Sequence, residues 1–188
     1  MSAFEFYFSF YGLLLGLCVA QIAKGIGHAV VVRRESRFGW LTPLLAAFVL
    51  FDIASFWLNA WGSRDAIKVS QLWVYSGLFV ALCYYVSAVM LFPVREAAWE
   101  NLDDHYWLNK RWVASGVGVA NAITFGYAVA SGALQHWTSE DFLRVLLMYW
   151  APLGLLIASK SKWVDAVCLT LLIGTYVYGT SLEAVGLF

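Results

Sequence analysis

Charge is scarce in this chain. Asp, Glu, Lys and Arg supply only 13% of the 188 residues, about half the share usual in soluble domains. The twelve basic residues are matched by twelve acidic ones, so the formal net charge is zero. Without a basic field there is nothing to hold a phosphate backbone, and nucleic acid is excluded as a partner. Cysteine is limited to Cys18, Cys83 and Cys168, all inside apolar runs. They imply no disulfide framework and read as small packing residues. Histidine is limited to His28, His105 and His136, at or beyond the edges of the apolar segments, where none is placed to ligate a haem between helices. A central lysine for a retinal-type Schiff base is missing, as are the Walker, GxSxG and HExxH patterns. No cofactor is expected. The opening residues Met1 to Glu5 lack the basic stretch and cleavage site of a signal peptide, so the first helix reads as retained.

What the chain has in abundance is apolar surface. Hydrophobic residues make up 62% of it, and the mean hydropathy is +0.71. Lipid is the solvent that suits such a composition. Ten tryptophans fit the same reading, since indole joins a large apolar body to one N–H donor and settles at membrane interfaces. A membrane helix needs about 20 mostly apolar residues, and residues 6–31, 40–61, 72–92, 112–134, 142–158 and 163–182 meet that requirement. The expectation is an all-α polytopic membrane protein, a single transmembrane domain over 1–188 built as a six-helix bundle. Between the third and fourth helices, Trp99, Leu102 and Tyr106 alternate at helical spacing with Glu96, Glu100, Asp103 and Asp104. That pattern predicts a short amphipathic helix on the membrane surface.

Basic residues near helix ends set the orientation. Lys24, Arg33, Arg34, Arg37, Arg95, Lys110, Arg111, Lys160 and Lys162 flank the odd-numbered turnarounds, against Arg64, Lys68 and Arg144 on the other side. Nine against three places the odd connectors in the cytoplasm and both termini outside, with a bacterial inner membrane as the expected location. Trp40, Trp112 and Trp163 then mark the inner interface, and Trp61, Trp73 and Trp137 the outer one. Shifting the chain by 65 residues aligns Leu13, Leu78 and Leu143, Leu17, Leu82 and Leu147, and Gly12 with Gly77, a pattern compatible with tandem hairpins. Small residues recur every four positions at Gly12, Gly16 and Ala20, and at Ala114, Gly118, Ala122 and Gly126, which predicts close helix packing. The bilayer is the first partner; a homo-oligomer or a larger membrane complex is the next.

One residue carries most of the functional interest. Asp52 is twelve residues past Trp40, roughly 18 Å into a hydrocarbon core about 30 Å thick. A central aspartate costs about 2.5–3.5 kcal/mol on insertion scales, so it should face protein or water. Ser55 and Asn59 continue its face outward, and Asn121 and Thr124 begin a second polar stripe on the fourth helix. Tyr84, Tyr149 and Thr175 fall near the same depth, and Pro152 interrupts the fifth helix by freeing the carbonyl of Met148. These residues predict a polar pathway, open to the outside, for a small solute or ion and compatible with proton coupling; an accessory or scaffold subunit is the alternative. A cytoplasmic collection, His28, Glu96, Glu100, Asp104 and His105, has oxygen and imidazole donors suited to a metal-dependent membrane enzyme, although it lacks a His-x-x-x-His pair. Of the remaining charges, Lys24 and Arg144 suit membrane edges, Asp165 sits in the first turn of the last helix near Lys162, and Ser139 is positioned to cap Glu140 and Asp141.

Overall fold

The computed structural model describes residues 3–32, 39–62, 64, 70–94, 99 and 102–184, the side chains of 3, 32 and 180–184 apart. Six helices account for nearly all of them. They are α1 (Ala3–Val32), α2 (Leu41–Gly62), α3 (Gln71–Leu91), α4 (Leu102–Ala130), α5 (Ser139–Ala158) and α6 (Lys162–Ala184). The first five are long and apolar enough to cross a membrane; α6, with Lys162, Asp165, Thr170 and Thr175 among its residues, is not in that set. The chain is thus all-α with five helices of membrane-spanning character, which suggests a membrane protein. Trp40, Trp61 and Trp163 stand exposed at helix ends, as interfacial anchors do, and Trp112 is exposed within α4.

α2 is the hub of the bundle. It packs against α1, α3, α4 and α6, and half of its spanning window is buried, against 17 to 39% in the other four. Phe48, Val49, Ile53 and Phe56 fill the space around it, and Leu15, Ile22, Val80, Ala120, Leu153 and Leu169 close in from the neighbouring helices. α3 and α4 form another extensive contact. They come close at Gly116, where an added Cβ would collide with Ser87 Oγ and come 3.3 Å from the Cys83 carbonyl. The regular small-residue stripes predict other positions. Gly12 does face Trp57 and Gly118 faces Leu153, but Gly16 and Gly126 have open space beside them and Ala20 and Ala122 are exposed. Spacing identifies a smooth helix face without saying which face meets a neighbour.

Two sequence expectations are corrected by the helix boundaries. The separate surface helix is not a separate element over the described residues, because residues 102–111 are the opening turns of α4. No proline or glycine interrupts this stretch, and Leu102, Tyr106, Lys110, Val113 and Val117 form one buried line from its first turn onward. At the start of α5, Thr138 rather than Ser139 is the cap. Its hydroxyl accepts from the Asp141 backbone N–H, while the Asp141 carboxylate accepts from the Thr138 N–H at 2.9 Å, closing a capping box. α4 ends at Ala130, and the turn that follows contains Gly132 with φ +75°, a left-handed conformation that suits glycine after a helix.

Candidate functional site

Asp52 lies at the centre of α2, and the four helices α3 to α6 each send a donor to it. The Tyr84 hydroxyl on α3 donates to Oδ2 at 2.7 Å, and the Asn121 amide on α4 donates to the same oxygen at 2.9 Å. The Tyr149 hydroxyl on α5 donates to Oδ1 at 3.1 Å, and Tyr176 on α6 donates to Oδ1 through a short contact. Asp52 is 1% exposed and Tyr84 is fully buried. Asn121 is itself held by the Val117 carbonyl at 3.0 Å and lies 3.4 Å from the Tyr84 oxygen. A carboxylate offers about four lone-pair sites. Here four donors meet them, and among the described residues no cation pairs with Asp52.

Local structure explains why Tyr149 reaches this point. Leu146–Trp150 is π-helical, with the Ala151 N–H donating back to the Leu146 carbonyl. A π turn inserts one residue into the helical register, which re-aims the side chains on either side of it, and such turns recur at functional sites. Pro152 follows two residues after Trp150. Its ring cannot donate and would crowd the carbonyl four residues back in a regular helix, and widening the preceding turn relieves that conflict.

The structure brings together Asp52, Tyr84, Asn121 and Tyr149 from the residues expected to share a site. Ser55 sits at the edge, its hydroxyl donating to the Asp52 carbonyl at 2.8 Å and lying beside Tyr176. Thr124 turns back to donate to the Ala120 carbonyl at 2.9 Å and is not among the donors to the carboxyl. Asn59 is exposed near the C-terminal end of α2, and Pro152 is buried one turn beyond Tyr149. The donors form a cage around Asp52, which is 1% exposed. Sequence reasoning missed Tyr176. Its neighbour Thr175 has the right depth, but the Thr175 hydroxyl donates to the Leu172 carbonyl at 2.7 Å; one residue is a rotation of 100° on a helix, which depth alone does not resolve.

A second buried acid was passed over as an ordinary helix-end charge. Asp165, fully buried on α6, pairs through Oδ2 with Lys110 Nζ of α4 at 2.5 Å and accepts from the Tyr106 hydroxyl at 2.9 Å. Lys110 is 1% exposed, donates to the Ser159 carbonyl at 2.8 Å and lies over the Trp107 ring, 4.3 Å from its centroid. Lys162, near Asp165 in sequence, pairs with Asp103 at 2.6 Å. Lys110 therefore braces the bundle.

The candidate metal ligands are dispersed where they can be seen. His105 Nε2 is 3.0 Å from the Met90 carbonyl and its ring neighbours the Asn109 amide, while His28 packs its ring on Trp99 with centroids 4.3 Å apart. Glu96 and Glu100 lie outside the described residues, and among the described residues no three metal-binding side chains converge. No protein-family model, characterised protein or solved structure matches the chain.

Proposed function

We propose that this is a six-span membrane protein, α6 included, in which Asp52 is the proton-carrying group of a pathway through the bundle, with the cage as its occluded form. The observation that carries the reading is a carboxyl at mid-helix held by donors from α3, α4, α5 and α6 and, among the described residues, by no cation. Ionisable groups at membrane depth are expensive and mark proton or ion routes. The hydrogen-bond count supplies a coupling. Three phenols and an amide satisfy an ionised carboxylate, but a protonated carboxyl carries a donor of its own and needs an acceptor. Taking up a proton requires one phenol to turn or withdraw, which loosens the helix that carries it. Tyr149, mounted on the π-helical turn, is best placed to yield, because its contact is 0.4 Å longer than that of Tyr84 and its segment has an alternative α-helical register.

The bias of basic residues supports both termini outside a bacterial inner membrane. A reporter at Phe188 should read as periplasmic and one at Glu35 as cytoplasmic.

Proton flux into proteoliposomes loaded with a pH-sensitive dye tests the pathway. Wild-type protein should dissipate an imposed pH gradient, and Asp52→Asn, which keeps the shape and a hydrogen-bonding head but does not titrate, should not. A second reading is favoured by one feature of the same site: every acceptor position of Asp52 is used, as befits a structural node in an accessory or scaffold subunit. Equal flux from wild type and Asp52→Asn, with both folded, would decide for that reading.

A further inference from the structure

α4 is 29 residues long, about 43 Å at 1.5 Å per residue, whereas the hydrocarbon core is about 30 Å thick. Its charged residues, Asp103, Asp104, Lys110 and Arg111, all fall in its first ten positions. The opening turns therefore belong at headgroup level, and Trp112 marks where α4 enters the hydrocarbon. The turn between α5 and α6, residues 159–161, comes to the same level, because the Ser159 carbonyl accepts from Lys110. Between these two elements lies a cavity of about 650 Å³, lined by Trp107, Lys110, Arg111, Trp112, Ser115 and Lys160 among others.

The charges in this cavity are not equivalent. Lys110 is neutralised by Asp165. Arg111 and Lys160 are exposed, and among the described residues neither has a hydrogen-bonding or ion-pair partner. Two unpaired cations thus face one cavity at headgroup depth. On the membrane side the walls are apolar, with Leu108 75% and Trp112 68% exposed.

We propose that this cavity binds an anionic glycerophospholipid. Its phosphodiester would sit between the Arg111 guanidinium and the Lys160 ammonium, and its acyl chains would descend along Leu108 and Trp112. Arg forks around phosphate oxygens and lysine acts as a point charge beside them. Charge complementarity selects the occupant: the site offers two cations, and a zwitterionic choline headgroup would bring its own ammonium into the same field. A bound lipid would tie α4 to the α5–α6 turn at the level where Lys110 and Asp165 already join α4 to α6.

The test is native mass spectrometry of the full chain in a neutral detergent, titrated with phosphatidylglycerol, phosphatidylcholine or sn-glycerol 3-phosphate. Wild type should bind phosphatidylglycerol on the order of tenfold to thirtyfold more tightly than phosphatidylcholine, as expected for two basic residues near a membrane surface. Arg111→Gln/Lys160→Gln should bring the two lipids to within roughly threefold. Arg144→Gln, an exposed charge on α5 outside the cavity, should keep the full preference. Thermal unfolding in phosphatidylcholine micelles checks that the double variant is folded; should it not be, Arg111→Lys/Lys160→Gln replaces it, with a partial loss of preference expected. No lipid preference in wild type, a full preference in the folded double variant, or displacement of phosphatidylglycerol by millimolar glycerol phosphate would overturn the proposal, the last by assigning the site to a soluble phosphate ester.

Discussion

Two aspartates are buried equally deeply and solved in opposite ways. Asp165 has an ammonium against it, one phenol beside it, and an Oδ1 with no partner among the described residues. Asp52 has no cation partner among the described residues, and both its oxygens accept from neutral groups on four helices. The first arrangement ties two opposite charges together, because separating Lys110 from Asp165 would strand an ion. The second leaves the charge of Asp52 open to change, at the cost of rearranging the donors around it. The contrast is that between a brace and a switch, and it sharpens the case for Asp52 as the titrating group.

The largest effect should come from breaking the brace. Lys110→Met leaves Asp165 buried without its cation and should lower stability by about 3–5 kcal/mol, whereas Lys110→Met/Asp165→Leu should recover most of the loss. Thermal or denaturant unfolding in detergent measures both, and a double variant as damaged as the single one would show that the pair does more than neutralise itself.

The cage should respond differently. Asp52→Leu removes the common acceptor of four donors and should cost about 2–4 kcal/mol, since each buried group left unsatisfied is penalised, while Asp52→Asn should remain within about 1 kcal/mol of wild type by keeping one acceptor and a polar head. If Asp52→Leu proved as stable as Asp52→Asn, the four-helix convergence would have no energetic content.

Packing between α3 and α4 gives an intermediate effect. Gly116→Ala drives a methyl into Ser87 Oγ and should destabilise by about 1–3 kcal/mol, whereas Gly16→Ala, with open space beside it, should be neutral or slightly stabilising through helix propensity. The same melts compare them, and the opposite order would mean that α1 uses its small face against a partner.

The smallest effects belong to single donors. Tyr176→Phe and Tyr149→Phe each remove one hydroxyl from Asp52, and about 0.6–2 kcal/mol is expected for either. Tyr149→Phe should change proton flux more than stability, because the π-helical turn makes Tyr149 the donor that yields; equal effects of both variants on flux would remove that distinction.

How much of this was legible in the sequence follows from what each signal encodes. Apolar runs and breakers locate the helices, since bilayer thickness fixes their length, and the first three lie within three residues of their expected ends. The start of α4 differs because charged residues at 103–104 and 110–111 resemble a surface segment, whereas they open one continuous helix about 43 Å long. Asp52, Tyr84, Asn121 and Tyr149 were legible as one group because depth along a helix is arithmetic. Tyr176 and the Lys110–Asp165 pair were not, because rotation about each axis and the choice of neighbour arise from packing. The outward stripe failed for a related reason. Thr124 shares a face with Asn121, yet a threonine hydroxyl in a helix readily returns to its own backbone, as Thr124 does to Ala120.

The central claim is that Asp52 takes up and releases a proton inside the bundle. Infrared difference spectroscopy of the reconstituted protein across a pH titration reads this directly, because a protonated carboxyl in an apolar site has its own C=O stretch. The account predicts a band that appears as pH falls, is absent in Asp52→Asn, persists in Lys110→Met/Asp165→Leu, and is accompanied by changes in the tyrosine ring modes. A spectrum without such a band, or a band that is unchanged in Asp52→Asn, would contradict it.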